Sequence, residues 1–284
     1  MSFTAKYSRL LTRIYRRLWL GRVASATPGI PPGSLVLAAH YNGAIDGFTY
    51  GSQLPPCLAV VSVQWHRHLA GRWLVPGIAI KRGKDRATGA NNREAFQSMI
   101  ARLRGGGRLL YFPEGTSRLG PERLPVRRGT LLLLNQLRAT GAESAVFFAA
   151  AHYHEPTRWR SAVSVGWVGP LTLPPSPDQD ESWVREQLLR AQEIAYALPA
   201  PAPRRWTWLA ALVALPYLPI WAATSWLAGR VADEENVIAL WKFLFGVPIT
   251  FIGLGACTLL AIRLGLPWWI PLSSLTGGWF LWMR

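Results

Sequence analysis

Hydrophobic and polar positions divide this 284-residue chain into three regimes. From Ser34 to about Leu173, short apolar runs alternate with stretches of helical periodicity. Ser34–Ala39 (SLVLAA), Leu58–Val63 (LAVVSV), Gly77–Ile80 (GIAI), Leu109–Phe112 (LLYF) and Ala145–Ala151 (AVFFAAA) are short and nearly continuous in apolar residues. Such runs suit strands buried on both faces, where the in–out alternation of a half-exposed strand is lost. Asn92–Leu103 and Gly129–Ala139 carry the helical period between them. This alternation predicts an α/β domain over residues 31–198 with a largely covered sheet. Pro170 to Asp180 is a Pro-rich break, Trp183–Leu198 reads as a closing helix, and Pro199, Pro201 and Pro203 stiffen a linker over 199–205.

The flanks differ from this middle. In residues 1–22, Tyr7, Leu10, Leu11, Ile14, Tyr15, Leu18 and Trp19 follow helical spacing, and Lys6, Arg9, Arg13, Arg16 and Arg17 fill the opposite face. That is a basic amphipathic helix. It suits the plane of a membrane surface, its arginines on anionic lipid. The bland reading is a helix packed on the domain with a solvated basic face. Arginines interrupt every apolar run there, so no secretory signal is expected. Residues 206–284 are apolar. Trp206–Ala228, Phe243–Ile262 and Leu264–Met283 carry no charge over 23, 20 and 20 residues. A bilayer span needs about 20 apolar residues, so two to three hydrophobic membrane helices are expected, the third doubtful because of Pro267, Pro271, Gly277 and Gly278. Arg204 and Arg205 before the first run place residues 1–205 on the cytoplasmic side.

Charge sharpens this picture. The formal net charge is +16, and residues 1–205 hold 27 of the 31 basic side chains against 12 of the 15 acids. A basic domain joined to an apolar tail points to an anionic surface. Nucleic acid would also attract the charge but would leave the apolar runs without a purpose. Two cysteines, Cys57 and Cys257, form no disulfide framework or metal spacing, and no metal is expected.

Three stretches carry candidate chemistry. In AAHYNGAIDG, His40 and Asp46 are six positions apart. In an unbroken helix six residues turn by about 600°, which separates the side chains. Asn42-Gly43 is a strong turn dipeptide and supplies the bend that would let them meet. A carboxylate on one imidazole nitrogen fixes the tautomer and leaves the other nitrogen as a base. In LLYFPEGTSR, an apolar strand runs into Glu114, Gly115, Thr116, Ser117 and Arg118, which offer a carboxylate, close backbone approach, hydroxyls and a phosphate-matching fork. In GIAIKRGKDR, Lys81, Arg82, Lys84 and Arg86 follow a strand, either as an anion site or as a solvated strand exit. His66 and His68 read as a solvated face, and His152 and His154 as structural.

Taken in order, these stretches resemble the acyltransferase family that acylates glycerol-3-phosphate and lysophospholipids. The resemblance covers about Pro31 to Pro174. His40 and Asp46 match its first motif, Gly77–Arg82 its second, Phe112–Arg118 its third, and Leu124–Thr130 looks like its continuation. Five residues separate His40 from Asp46 where four are common, which is similar to a branch with a His-x-Asn-x-x-x-Asp first motif. Val146–Ala151 lacks the proline of the family's fourth motif. The resemblance implies a mixed sheet covered by helices, with His40 as general base and Asp46 as its orienting partner. It also implies an acceptor phosphate on Arg82 with Lys81 and Arg118, and a loop of Glu114, Gly115 and Thr116 that is shaped by Glu114 or binds a glycerol hydroxyl. No cofactor is implied beyond acyl-CoA or acyl-carrier protein as co-substrate. The expected partners are anionic membrane lipids and glycerol-3-phosphate or a lysophospholipid, not nucleic acid. The expected location is the cytoplasmic face of the inner membrane. The competing reading is a catalytically inactive, basic, membrane-bound lipid-binding or scaffold protein of the same fold.

Overall fold

Among the described residues, seven strands, numbered in chain order, make one mixed sheet in the order β1-β7-β6-β2-β5-β3-β4. This computed structural model describes all residues except 1–2, 67–71, 74–75, 82–91, 118, 120–123, 142–143, 158–160, 200–217, 233–234 and 274–284. The chain divides into two units, Met1–Ala200 and Pro201–Arg284. In the first, β2 (Leu35–Ala38), β3 (Cys57–Ser62), β4 (Gly77–Ile80), β5 (Arg108–Tyr111) and β6 (Val146–Tyr153) run parallel to one another. The continuous apolar runs are these five strands. The other two, β1 (Val23–Ser25) and β7 (Val163–Leu171), were not apparent as runs; β7 lies antiparallel to β6 and makes the sheet mixed.

Helices cover both faces. On one, α4 (Arg93–Arg104), α5 (Arg128–Ala139) and α6 (Asp180–Ala197) bury Met99, Leu103, Leu133, Leu137, Val184 and Leu188 against Leu35, Leu37, Leu109 and Phe148. On the other lie α1 (Phe3–Trp19) and α2 (Ala44–Gln53), and α3 (Val63–His66) is a single turn after β3. Gly166 lets β7 touch α6, since a Cβ there would lie 2.0 Å from the Ala191 carbonyl oxygen.

The first helix packs differently from its sequence pattern. Among its described side chains Ala5, Ser8, Thr12 and Tyr15 are buried, whereas Leu10 and Ile14 remain 56% and 45% exposed. The reason is close helix contact. A Cβ at Gly51 of α2 would meet Thr12 Cγ2 at 2.9 Å, and Tyr15 stacks on Phe48 with centroids 4.2 Å apart. Small side chains permit that approach and leave Leu10 and Ile14 outside.

The second unit contains α7 (Leu218–Val231) and α8 (Glu235–Arg263). The expected membrane helices are not supported there. Among the described residues no helix is long and apolar enough to cross a membrane. Of the first run, residues 206–217 lie outside the described set, and Leu218–Ala228 lie in the 14-residue α7. The third run opens on a turn at Leu264–Gly265, where α8 has ended, and residues 274–283 lie outside the described set. Phe251, Ile252, Leu259 and Leu260 of α8 are exposed apolar side chains.

Gly166→Ala should destabilise the first unit by about 1–3 kcal/mol, because the contacted atoms are helix backbone and cannot rotate away. A urea midpoint unchanged from the parent protein would contradict this packing.

Candidate functional site

The carboxyl ends of adjacent parallel strands β2 and β5 place two loops side by side, where ligands of open α/β sheets bind. His40 follows β2, and the chain then turns through Gly43 at φ +55° into α2. The turn returns Asp46, in the first turn of α2, to the histidine. Asp46 Oδ2 lies 3.0 Å from His40 Nδ1. The backbone N–H groups of Tyr41 and Asn42 donate to the same oxygen at 2.6 and 2.7 Å. Tyr153 at the end of β6 donates its hydroxyl to Oδ1 at 2.7 Å. The carboxylate is fully buried, so every one of these bonds compensates a charge removed from water. Its place at the amino end of α2 adds a favourable helix-dipole interaction.

His40 is held from three sides. Asp46 takes Nδ1, Phe112 stacks on the ring at 4.4 Å, and the His40 backbone N–H donates to Glu114 Oε2 at 2.8 Å. Its side chain keeps 18% exposure. With Nδ1–H directed at the carboxylate, Nε2 is the nitrogen left for chemistry, and it has no hydrogen-bond partner among the described residues.

Glu114 joins the two loops. Oε2 accepts from His40, Oε1 accepts from the Leu124 N–H at 3.2 Å, and its carbonyl accepts from Arg127 Nε at 3.1 Å. It is buried, with both carboxylate oxygens engaged, which is the geometry of loop shaping. Gly115, at φ +65°, closes the turn with its N–H on the Phe112 carbonyl at 3.1 Å. Thr116 and Ser117 are half-buried beside it. Lys81 lies at the end of β4, its main-chain N–H and C=O both held by the Asn92 side-chain amide at 2.9 and 2.8 Å. It has no hydrogen bond or ion pair with His40 or Asp46 among the described residues. Arg82 and Arg118 lie outside the described residues.

One contributor had no sequence signal of its own. Tyr153 only ends an apolar run, yet its hydroxyl meets both Asp46 and, at 2.8 Å, Thr49 Oγ1. Each hydroxyl has one hydrogen. Tyr153 gives its hydrogen to the carboxylate, the stronger acceptor, and the single hydrogen of Thr49 is shared between the Tyr153 oxygen and the Ile45 carbonyl, 3.0 Å away. Asn42 donates from Nδ2 to the Pro156 carbonyl at 2.8 Å, tying the turn to the loop after β6. His152 and His154 point away from this site: their rings meet at 4.5 Å, and His154 Nε2 is 3.4 Å from Ser164 Oγ. Burial, and then the neighbouring His154, hold the His152 imidazole below its ordinary value.

Neither cysteine joins the site. Cys57 is buried at the start of β3, and burial pushes its thiol up to about 12, so it carries no thiolate at neutral pH. No group of three or more His, Cys, Asp or Glu able to hold a metal occurs among the described residues.

The fold of this chain is similar to that of a solved structure, the 1-acyl-sn-glycerophosphate (LPA) acyltransferase PlsC from Thermotoga maritima, at a TM-score of 0.52 and 14% identity, over 70% of this chain and 81% of that one. No protein-family model matches the chain, and no curated protein does.

Tyr153→Phe removes one hydrogen bond to a buried charge and should cost about 1.5–3 kcal/mol of stability, read from the urea midpoint. An unchanged midpoint would contradict the assigned donor. Alkaline stability offers a second check. The folded Cys57 thiol titrates near 12, above its ordinary 9.0, so its contribution is complete below about pH 9 and is lost as pH rises towards 12. Cys57→Ala should flatten the decline in that window; an identical decline would show that the thiol is not buried.

Proposed function

We propose that this protein is an O-acyltransferase that moves an acyl chain from a thioester to a hydroxyl of glycerol-3-phosphate or a lysophospholipid. The observation that carries the reading is the His40–Asp46 pair, with Asp46 fixed by three other donors and Nε2 the base that remains. His40 Nε2 takes the acceptor hydroxyl proton as the oxygen attacks the thioester carbonyl. The buried carboxylate stabilises the imidazolium. The tetrahedral intermediate then collapses, the C–S bond breaks, and His40 returns the proton to the departing thiolate of acyl-CoA or acyl-carrier protein. No covalent acyl-enzyme is required, in keeping with the buried neutral Cys57.

The acceptor phosphate belongs on the side of β4. Three strand spacings separate β2 from β4, about 14 Å. A long basic side chain (Lys81, with Arg82 and Arg118 as the further candidates) and a glycerol phosphate together fill that gap. Glu114 acts by setting the positions of His40 and the Gly115–Thr116 turn. The basic first unit, the exposed Leu10, Ile14 and Trp73, and the exposed apolar side chains of α8 support work against an anionic bilayer, with the domain on the cytoplasmic face of the inner membrane.

The test is acyl transfer by purified full-length protein, offered oleoyl- and palmitoyl-CoA and then acyl-carrier-protein donors with a panel of glycerol phosphate and lysophospholipid acceptors. His40→Ala should lose at least about a hundredfold in turnover, the usual worth of a general base, while keeping its melting temperature. Asp46→Asn should also lose activity, because an amide facing Nδ1 favours the wrong tautomer. Activity within a few fold of the parent in His40→Ala would overturn the mechanism, and no turnover with any donor would favour the inactive lipid-binding scaffold.

A further inference from the structure

The two oxygens of Asp46 are loaded unequally. Oδ2 receives three donors: the Tyr41 and Asn42 main-chain N–H groups at 2.6 and 2.7 Å, and His40 Nδ1 at 3.0 Å. Among the described residues Oδ1 receives one donor, the Tyr153 hydroxyl at 2.7 Å. The imidazole bond is therefore the longest of the four, and it shares its oxygen with two shorter ones. Carboxylate charge is spread over both oxygens. A strong donor on Oδ1 draws charge towards itself and weakens Oδ2 as an acceptor for the imidazole.

The phenol is fixed in this role. Tyr153 is buried and ends β6, where it pairs with Val163 of β7. The Thr49 hydroxyl of α2 lies 2.8 Å from its oxygen, and the Tyr41 ring lies nearly parallel to it with centroids 6.0 Å apart. Burial, and then the Asp46 charge, push the hydroxyl well above its ordinary value, so it keeps its proton and stays a donor at neutral pH. Phenylalanine would fill the same space at this end of β6, so packing alone does not require the oxygen.

We propose that Tyr153 is a positioning residue that limits how strongly Asp46 pulls on the His40 Nδ1 proton, and through it the basicity of Nε2. The inference deepens the reading of His40 as the base and rests on it for its catalytic meaning. A base in acyl transfer must take a proton from the acceptor hydroxyl and give it up to the departing thiolate. An unmoderated carboxylate would favour the first step and hold the imidazolium against the second. A donor on the far oxygen keeps the two in balance.

The test uses detergent-solubilised full-length protein labelled with 15N-histidine at neutral pH, with the His40 ring assigned by its loss in His40→Ala. The Nδ1 shift is read through the carbon-bound ring protons, so exchange of the N–H proton with water does not hide it. In Tyr153→Phe, Nδ1 should move downfield, towards stronger donation to Asp46. With 3-fluorotyrosine at position 153, a more acidic phenol of nearly the same size, it should move upfield. The fluorinated protein also serves as the second variant should Tyr153→Phe fail to fold. No movement, or movement in the same direction in both, would overturn the proposal, because a packing role has no reason to reverse sign. The acid limb of kcat/KM for acyl transfer should follow. A better stabilised imidazolium loses its proton only at higher pH, so the limb moves up in Tyr153→Phe by at least about 0.3 pH unit, a twofold change in proton affinity, and down in the fluorinated protein. Opposed Nδ1 shifts without turnover would uphold the Tyr153 effect and sink the acyl-transfer reading. Turnover with an unmoved Nδ1 would sink the Tyr153 effect alone.

Discussion

One buried negative charge organises this protein. Asp46 is removed from water entirely, and an unpaired carboxylate there would cost several kcal/mol. Its four donors come from His40, two successive main-chain N–H groups of one turn, and Tyr153 on β6. Each donor restrains its own segment. The Gly43 turn must place two N–H groups on one oxygen, α2 must start where it does, and β6 must end with its tyrosine facing β2. The imidazole is thereby oriented by the same contacts that keep the charge tolerable.

Glu114 repeats this logic across the strand boundary. It is a second buried carboxylate with both oxygens engaged, and it joins the His40 main chain to the loop after β5. Two loops that elsewhere would vary independently are bound into one surface. Phe112 then closes over the imidazole. What the site presents outward is a single imidazole nitrogen beside half-exposed hydroxyls, an arrangement suited to removing a proton from an alcohol. The likeness to the Thermotoga maritima structure is one of fold, and the chemistry rests on these side chains.

How much could be read in the sequence follows from which elements are buried on both sides. The five parallel strands are sandwiched between helices, so their apolar runs are continuous and visible. Strand β7 is interrupted by Gly166, Gly169 and Pro170, and β1 is three residues long, so neither gives a run. Helix α2 was hidden because Gly47, Thr49 and Gly51 dilute its apolar face, although Gly51 is what admits Thr12 of α1. His40, Asp46 and Glu114 were legible because short-range turns position them. Tyr153 was not, since it reaches Asp46 across 107 positions of chain and that pairing exists only once β6 lies beside β2. The spans expected from the uncharged runs of the tail are not supported, since no helix long and apolar enough to cross a membrane occurs among the described residues.

The most direct measurement is the tautomer of His40, read from the 15N shifts of its ring nitrogens in labelled protein at neutral pH, with Asp46→Asn for comparison. The account predicts a protonated Nδ1 and an unprotonated Nε2 in the parent protein, with that order lost when the carboxylate becomes an amide. A parent protein with its proton on Nε2 would contradict it, because the nitrogen facing the acceptor could not then serve as the base.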